Sequence, residues 1–186
     1  MKTLVVGLAV SGRAAVERLR ADGHEVTAYD ARPAAAADIG ADRVVTGEWT
    51  ADLLDGVDLV VPSPGVPEGA APIVDTLAAG ITIWSELELG WRRLQGVPTG
   101  AVTGTNGKTT VTEIAAAMLA ASGLRALAVG NIGDPISIVD TDGLDAVVIE
   151  ASSFQLRFIE RFAPEAAVLL NFAPDHLDWH PDVASY

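Results

Sequence analysis

The strongest constraint on the fold of this chain is a glycine-rich stretch at residues 102–110, VTGTNGKTT. It lies between an apolar run typical of a strand and a run whose apolar side chains recur at helical spacing. Small residues allow backbone N–H groups to converge on an anion, the lysine adds a positive charge, and the next hydroxyl can bind magnesium. The following helix would direct the positive end of its dipole at the same anion. The stretch therefore predicts a strand, a phosphate-binding loop and a helix.

The residues that would form this loop are Gly104, Thr105, Asn106, Gly107, Lys108, Thr109 and Thr110. The stretch departs from the strict pattern G-x-x-x-x-G-K-[ST], because Val102 occupies the position of the first glycine. The chain has two lysines, Lys2 and Lys108, against ten arginines, so a lysine stands here in a sequence that otherwise uses arginine. The alternative, a glycine-rich turn with an incidental lysine, fits this order of strand, loop and helix less well.

Composition favours an α/β protein and excludes several functional classes. Hydrophobic residues make up 49% of the 186 residues, aromatic residues only 5%, and much of the apolar content is alanine. The absence of cysteine excludes disulfides, thiolate metal sites and cysteine nucleophiles, and it is compatible with the cytoplasm. No apolar run reaches the roughly 18 residues that span a bilayer, so no membrane partner is expected.

The net charge of −13 is spread over both halves of the sequence. Such a surface repels nucleic acid, so no nucleic-acid partner is expected. An anionic ligand would have to be attracted locally, by loop amides, Lys108, a few arginines and a divalent metal. The charge therefore favours a magnesium requirement.

The first 30 residues predict a strand, a helix and a second strand. The turn GLAVSG at residues 7–12 nearly matches the dinucleotide-binding pattern G-x-G-x-x-G, and Asp30 follows its last glycine by 18 residues, where a partner for a ribose hydroxyl would lie. Ala9 replaces the middle glycine, whose missing side chain lets a pyrophosphate approach the backbone. Alanine at this position disfavours NAD as the ligand, but a nucleotide of another kind could still bind at this turn.

Polar clusters follow the carboxyl ends of the further predicted strands, the edge at which open α/β sheets bind ligands. In the first half, a strand at residues 59–61 runs into the loop PSPGVP, and Ser85 is predicted to cap a helix that extends to about Leu94. Residues 95–98 break the pattern. Strands of the second half are predicted at residues 99–103, 126–129, 146–149 and 167–170. The predicted domains are residues 1–93 and 94–186.

Acidic and histidine side chains in the second half suggest metal binding. Glu150 ends a strand of Ala, Val and Ile, where a carboxylate is costly unless it is paired or bound to a metal. Nucleoside triphosphatases steady magnesium with such a residue beside their phosphate loop. His176, with Asp175 and Asp178, makes the last segment a set of oxygen and nitrogen donors, although a solvated glutamate and an ordinary turn histidine remain open. The two remaining histidines are predicted in surface turns: His24 and His180.

Four segments, in this order and spacing, resemble the Mur ligases of peptidoglycan synthesis: TGTNGKTT at residues 103–110, GNIG at 130–133, EASSFQL at 150–156 and NFAPDHLDWH at 171–180. The resemblance covers essentially the whole chain and is most specific in residues 99–180. Within the family it is greatest to the members that add D-glutamate. It implies a Rossmann-like N-terminal domain followed by a truncated P-loop ATPase α/β domain.

The resemblance also implies an ATP-dependent synthesis of an amide bond. ATP would phosphorylate the L-alanyl carboxylate of UDP-N-acetylmuramoyl-L-alanine, and the amine of D-glutamate would attack the acyl phosphate. By position, the loop residues would hold the ATP phosphates, and Lys108 and His176 would be catalytic, with Lys108 stabilising the moving phosphoryl group. Thr109, Glu150 and His176 would bind Mg²⁺.

The substrate residues are likewise implied by position. Asn131 and Ser152 would contact the muramoyl group. The residues that would orient the UDP end are Ser11, Asp30, Arg32, Ser63 and Gly65. The implied partners are small molecules alone, and the implied full-length form is a cytoplasmic monomer.

Two departures from the family pattern limit this interpretation. The family has a carbamate-bearing lysine beyond the position of His176, but no lysine follows Lys108 here, and the family's third domain is absent. The chain is therefore expected to be truncated and inactive by itself. One alternative is a non-catalytic module that binds NAD or a UDP-sugar. Another is a folylpolyglutamate synthase-like ligase, against which the first domain and the SSFQL segment argue.

Overall fold

The computed structural model describes residues 1–94 and 96–186. Within them, five parallel strands form a first sheet in the order β3-β2-β1-β4-β5. These strands are β1 (Lys2–Val6), β2 (Glu25–Asp30), β3 (Arg43–Thr46), β4 (Leu59–Pro62) and β5 (Thr82–Ile83). The central strands β1 and β4 are almost completely buried, which explains why they read as continuous apolar runs rather than as alternating ones.

Helical segments cover both faces of the first sheet. Helix α1 (Val10–Ala21) packs on the face that carries Val5, and the 3-10 turn Ala51–Leu54 packs on the face that carries Leu4. A Cβ atom at Gly12 would overlap the carbonyl oxygen of Gly7, so the absence of a side chain lets α1 begin directly against the turn after β1. Helix α2 (Ala71–Ala78) and the 3-10 turn Pro33–Ala36 complete this half.

The second sheet also consists of parallel strands, in the order β7-β8-β6-β9 for the described residues. Its strands are β6 (Thr99–Thr103), β7 (Ala126–Gly130), β8 (Ala146–Glu150) and β9 (Ala166–Leu169). Helix α4 (Lys108–Ala121) covers the face that carries Val102 and Val148. The 3-10 turn Ile136–Ile138 packs on the opposite face, and the short helix α5 (Ser153–Leu156) follows β8. All strands of this sheet direct their carboxyl ends to one edge.

Helix α3 (Glu86–Trp91) joins the two halves. It begins as predicted at the cap Ser85, whose hydroxyl oxygen accepts the backbone N–H of Glu88 at 3.3 Å. Leu89 belongs to the core of the first sheet, whereas Leu87 packs into the core of the second. The helix therefore contributes to both cores, and the division at residues 93 and 94 stays a prediction.

The buried carboxylate of Glu88 ties α3 to the second half. It accepts the backbone N–H groups of residues 160, 161 and 162 at 2.9–3.1 Å and the Nε of Arg92 at 2.7 Å. Burial alone would raise the pKa of Glu88, but these donors outweigh it and lower the pKa. On the same helix, a Cβ atom at Gly90 would lie 2.5 Å from the backbone nitrogen of Ser137. Helix α3 and the 136–138 turn are thus in direct backbone contact.

The predicted α/β class is confirmed by the two parallel sheets. The helix after Ser85 is shorter than predicted, because it ends at Trp91 and not near Leu94. The predicted break at residues 95–98 begins at Gln95, which lies outside the described residues. Among the described residues, no helix is both long enough and apolar enough to cross a membrane.

Candidate functional site

A pocket of about 600 Å³ lies at the carboxyl edge of the second sheet, and we call it the phosphate pocket. It is formed by the loop after β6, the loop after β7, the start of α5 and the segment after β9. The predicted site residues that line it are Gly104, Thr105, Lys108, Asn131, Ser152 and His176. The structure therefore brings together residues that the sequence separates by up to 72 positions, because parallel strands place these loops at one edge.

The glycine-rich loop joins β6 to α4, the order that the sequence predicts. Gly104 and Gly107 adopt positive φ angles of 140° and 86°, which other residues rarely adopt, and Gly107 caps α4. Lys108 lies within the pocket, where its Nζ donates to the carbonyl oxygens of Gly104 at 2.6 Å and Thr105 at 3.0 Å. The ammonium group is thus held over the loop by neutral acceptors. Asn106, Thr109 and Thr110 are exposed beside it.

Asn171, to which the sequence interpretation gave no role, supports this loop. Its side-chain Oδ1 accepts the backbone N–H of Asn106 at 2.9 Å, and its Nδ2 donates to the carbonyl oxygen of Asn106 at 2.8 Å. Its backbone oxygen also accepts the N–H of Thr105 at 3.2 Å. The available sequence signal was its position directly after the last strand. The Asn171 side chain thus bonds to both the N–H and the carbonyl oxygen of Asn106, as the backbone of a neighbouring strand would.

Glu150 is buried at the end of β8, with 1% of its surface exposed. Its Oε1 accepts the side-chain N–H of Asn131 at 2.7 Å, whereas its Oε2 is buried without a hydrogen-bond partner among the described residues. The two strand ends approach so closely that a Cβ atom at Gly130 would lie 2.5 Å from the carbonyl oxygen of Glu150. A buried carboxylate oxygen is costly without a donor or a cation. This oxygen therefore fits a hard cation such as Mg²⁺.

His176 projects into the same pocket from the last segment, but it is held by aromatic and local contacts. Its ring packs edge-on against Phe154 at a centroid distance of 4.7 Å, and its Nε2 lies 3.8 Å from Asp175 Oδ2. In residues 1–94 and 96–186, no three His, Asp or Glu side chains gather as a metal-binding group. The combination of Thr109, Glu150 and His176 as metal ligands therefore stays a prediction.

Ser152 lines the phosphate pocket and also caps α5. Its hydroxyl oxygen accepts the backbone N–H of Gln155 at 3.3 Å, and Gln155 Oε1 accepts the backbone N–H of Ser152 at 3.0 Å. The two residues form a capping box, a pattern that Ser-x-x-Gln in the sequence already contained. The Ser152 hydroxyl, which is predicted to contact the substrate, therefore already accepts a hydrogen bond as the N-cap of α5.

The assignment of His180 to a surface turn is wrong. Only 1% of its surface is exposed, its Nε2 lies 2.9 Å from Ser153 Oγ, and its ring stacks on Phe154. Burial lowers the pKa of the imidazole. The sequence could not show this, because the residues that cover His180 come from separate segments. His24 is partly buried and bonded through Nδ1 to Thr3 Oγ1 at 2.9 Å.

A second pocket of about 460 Å³ lies at the carboxyl edge of the first sheet, and we call it the first-half pocket. Four of the residues predicted to orient the UDP end line it, namely Asp30, Arg32, Ser63 and Gly65, whereas Ser11 lies in the first turn of α1 and is not among the described lining residues. The predicted substrate residues of this half are thus brought together with the exception of Ser11.

The carboxylate of Asp30 is fully used within the protein. Oδ1 accepts the backbone N–H and Nε of Arg32 at 2.9 and 3.1 Å, and Oδ2 accepts the N–H of Leu8 at 2.9 Å and Nη2 of Arg32 at 3.2 Å. The hydrogen bond from the Arg32 side chain, with the backbone N–H groups, lowers the pKa of Asp30 to about 2 despite burial. A carboxylate has about four acceptor positions, so none is left for a ribose hydroxyl. This geometry disfavours the NAD alternative.

The two pockets are linked by contacts between the halves. Trp179 Nε1 donates to the carbonyl oxygen of Pro64 at 2.9 Å, which connects the last segment to the loop after β4. Arg157 forms an ion pair with Glu68 of that loop at 2.5 Å. The loop that borders the first-half pocket is thus held against the segments that border the phosphate pocket.

Comparison with known proteins identifies the family. Residues 1–85 match the profile of the "Mur ligase MurD-like, N-terminal domain", and residues 102–186 match that of the "Mur ligase middle domain". This chain belongs to the Mur ligase family. Mur ligases are ATP-dependent ligases, which agrees with a glycine-rich loop at the phosphate pocket.

Two curated Mur ligases illustrate the similarity. The UDP-N-acetylmuramoylalanine–D-glutamate ligase of Frankia casuarinae is 46% identical over 195 aligned residues, which include all of this chain and 41% of that protein. The enzyme of the same name from Myxococcus xanthus is 43% identical, again over the whole chain and 43% of its own length. The chain therefore spans less than half the length of the curated relatives it matches.

Solved Mur ligase structures share the fold. The UDP-N-acetylmuramate:L-alanyl-gamma-D-glutamyl-meso-diaminopimelate ligase of Neisseria meningitides superposes with a TM-score of 0.57 at 24% identity, and covers 99% of this chain and 64% of that one. The UDP-N-acetylmuramate-alanine ligase MurC of Thermotoga maritima gives a TM-score of 0.55 at 23% identity, over 96% of this chain and 43% of that one. At these identities the likeness concerns the fold alone.

Proposed function

We propose that this chain is the nucleotide- and UDP-substrate-binding part of an ATP-dependent ligase that joins D-glutamate to UDP-N-acetylmuramoyl-L-alanine in peptidoglycan synthesis. Residues 1–93 would bind the UDP end and residues 94–186 would bind ATP. The names of the curated relatives support the reaction. The observation that carries the proposal is the phosphate pocket, in which Lys108, Asn131 and His176 meet at one sheet edge beside the buried Glu150.

The glycine-rich loop would hold the phosphates of ATP. The backbone N–H groups of Thr105 and Asn106 donate to Asn171, so the N–H groups in the first turn of α4 would provide the anion-binding arrangement. Lys108 Nζ, which donates to the carbonyl oxygens of Gly104 and Thr105, would exchange these neutral acceptors for phosphate oxygens. A lysine placed there stabilises the charge that develops as the γ-phosphoryl group moves.

Of the three predicted metal ligands, Glu150 is the one with a buried oxygen, Oε2, that has no partner in the described part of the chain. Thr109 and His176 are proposed as further ligands. Mg²⁺ bound there with ATP would neutralise phosphate charge. Asn131, bonded to Glu150 Oε1 at 2.7 Å, would hold that carboxylate in place and direct the rest of its amide towards the substrate.

The first-half pocket would hold the UDP end, with Arg32, Ser63 and Gly65 among its walls. The Arg32 side chain is 73% exposed even though it pairs with Asp30, so part of its guanidinium remains available to a diphosphate. Ser11 would contact UDP from the first turn of α1, and Ser152 and Asn131 would contact the muramoyl group. The L-alanyl carboxylate oxygen would then attack the γ-phosphorus and release ADP. The amine of D-glutamate would attack the resulting carbonyl carbon, expel phosphate and lose a proton.

Calorimetric titration of the 186-residue chain with ATP and Mg²⁺ tests the nucleotide half of the proposal. The substitution Lys108→Ala should weaken the binding of ATP roughly 10- to 100-fold, since hydrogen bonds to charged groups contribute about 1.5–3 kcal/mol. The matched control is Lys2→Ala, because Lys2 is the only other lysine of the chain and lies at the start of β1. Equal affinity of the Lys108→Ala and wild-type proteins would overturn the assignment of the loop.

The substrate half is tested by titration with UDP-N-acetylmuramoyl-L-alanine, UDP and NAD. We expect binding of the first two and none of NAD, because the NAD mode requires a free acceptor on Asp30 and a glycine in place of Ala9. The UDP end would be held by Arg32 instead. Arg32→Ala should weaken the binding of both UDP compounds. Binding of NAD with greater affinity than UDP would favour the alternative of a dinucleotide-binding module.

A further inference from the structure

The turn formed by residues 176–180 carries His176 to the mouth of the phosphate pocket, and its far end is fixed by His180. Nε2 of His180 lies 2.9 Å from Ser153 Oγ, at the start of α5. Nδ1 is buried without a hydrogen-bond partner in the described part of the chain. The imidazole is therefore held by one hydrogen-bonded nitrogen and by the aromatic rings that pack against it, and only 1% of its surface is exposed.

One phenylalanine ring connects the two histidines. Phe154 stacks on His180 with centroids 5.6 Å apart and an interplanar angle of 19°, and it contacts the edge of His176 at 4.7 Å. Trp179 packs on the same phenylalanine at 4.8 Å. A shift of His180 would therefore displace the surface on which His176 rests, since packed aromatic rings leave little free volume.

The backbone of His176 also depends on its surroundings. Its φ angle is 52°, a left-handed conformation that is uncommon for residues with a side chain. Its carbonyl oxygen accepts the N–H groups of Trp179 at 3.0 Å and His180 at 2.9 Å, which closes the turn. Such a conformation persists where the rest of the structure determines it. The buried ring of His180 attaches the turn to α5 through Ser153 and Phe154.

We propose that His180 is a positioning residue that holds His176 at the phosphate pocket for binding a divalent cation together with ATP. The inference rests on the proposed function of His176 as a metal ligand. His180 acts through the Ser153 bond and the Phe154 stack. Partners that orient a metal ligand commonly change metal affinity 10- to 100-fold when they are replaced.

The test uses the 186-residue chain, with Mn²⁺ as the probe and ATP present, and electron paramagnetic resonance to measure free Mn²⁺. His180→Phe keeps an aromatic ring but removes the bond to Ser153, and it should weaken Mn²⁺ binding about tenfold while metal-free ATP affinity stays unchanged. His180→Gln restores a group that can bond to Ser153 and should recover most of the affinity. A purely structural role would lower both affinities in proportion to unfolding and would show no such recovery, and that result would overturn the inference.

The imidazole NMR signals of His176, recorded without ATP or metal, separate this inference from the proposed function. In the wild type they should be displaced by the ring of Phe154, and in His180→Phe they should move towards the values of an exposed histidine. Unchanged His176 signals would overturn the positioning role, whereas wild-type protein without ATP-dependent Mn²⁺ binding would overturn the proposed function instead. His24→Phe is the matched control, because His24 also bonds to one hydroxyl but lies in the first half. If His180→Phe does not fold, Ser153→Ala removes the same bond and should give the same direction of change.

Discussion

A buried acidic residue ends a strand at each pocket, Asp30 in the wall of the first-half pocket and Glu150 behind Asn131 of the phosphate pocket, but the two carboxylates differ in their partners. Asp30 ends β2 and accepts four hydrogen bonds from Leu8 and Arg32. Glu150 ends β8 and accepts one, from Asn131, while its Oε2 has none among the described residues. The protein itself supplies all hydrogen bonds that the Asp30 carboxylate needs, whereas Oε2 of Glu150 is left for a ligand.

This difference shows which acidic residue contributes to the fold and which is available to a ligand. Hydrogen bonds that a carboxylate accepts in the folded state lower its pKa and thereby stabilise the native state. The pKa of Asp30 falls to about 2 through the Arg32 side chain and the backbone donors. A buried carboxylate with an unpaired oxygen costs free energy until a cation or donor arrives. The comparison leads to three predictions on stability, from the largest effect to the smallest.

Asp30→Asn should destabilise the protein by about 2 kcal/mol, because a shift from 3.8 to about 2 in the pKa corresponds to roughly that free energy. Urea denaturation at neutral pH measures the effect. Because the pKa of Asp30 is lower in the folded state, its contribution is present above pH 4 and is lost as the pH falls towards 2. The wild type should therefore lose stability relative to Asp30→Asn in this interval.

The control for that experiment is Glu88, whose pKa is also lowered by backbone donors and Arg92 despite burial. Glu88→Gln should likewise reduce the loss of stability on acidification. If Asp30→Asn and the wild type show parallel stability from pH 5 to pH 2, Asp30 is not the satisfied carboxylate that the geometry indicates.

Asn171→Asp should destabilise by about 1 kcal/mol, the typical contribution of one hydrogen bond. The change keeps the acceptor for the N–H of Asn106 but replaces the donor to its carbonyl oxygen. ATP binding should weaken several-fold, since the glycine-rich loop loses one of its supports. Hydrogen exchange of the Asn106 amide gives a direct measurement, and unchanged exchange together with unchanged ATP affinity would contradict the role of Asn171.

Glu150→Gln should change stability by less than about 1 kcal/mol, because the amide keeps an acceptor for Asn131 and removes an uncompensated buried charge. Divalent-metal-dependent ATP binding should nevertheless be lost, which titration in the presence and absence of Mg²⁺ would detect. If Glu150→Gln destabilised the protein as much as Asp30→Asn, the proposed difference between the two carboxylates would be wrong.

The sequence predicted the parts of this structure that follow from local pattern. Short apolar runs predicted parallel strands such as β1, β4 and β8, and Gly104, Gly107 and Lys108 predicted the loop between β6 and α4. The gathering of Asn131 and His176 in one pocket followed from the same premise, because parallel strands that end at one edge bring their loops together.

What the sequence did not predict depends on contacts between distant segments. His180 is buried by α5 and by neighbouring aromatic rings, and no periodic pattern within residues 176–186 records that burial. The support that Asn171 gives to Asn106 crosses 65 positions. The capping box of Ser152 and Gln155 and the pairing of Asp30 with Arg32 were not predicted either, although both are local and their spacing would have indicated them.

Helix α3 belongs to the cores of both sheets. Its Gly90 lies so near the backbone of Ser137 that even a methyl group would not fit, and its Glu88 holds the 160–162 segment through three amide hydrogens. Both of these contacts are with the second half, whereas Leu89 of the same helix packs into the core of the first sheet. Severing the chain before or after α3 would therefore remove Leu89 or Leu87 from one of the two cores and expose apolar surface there.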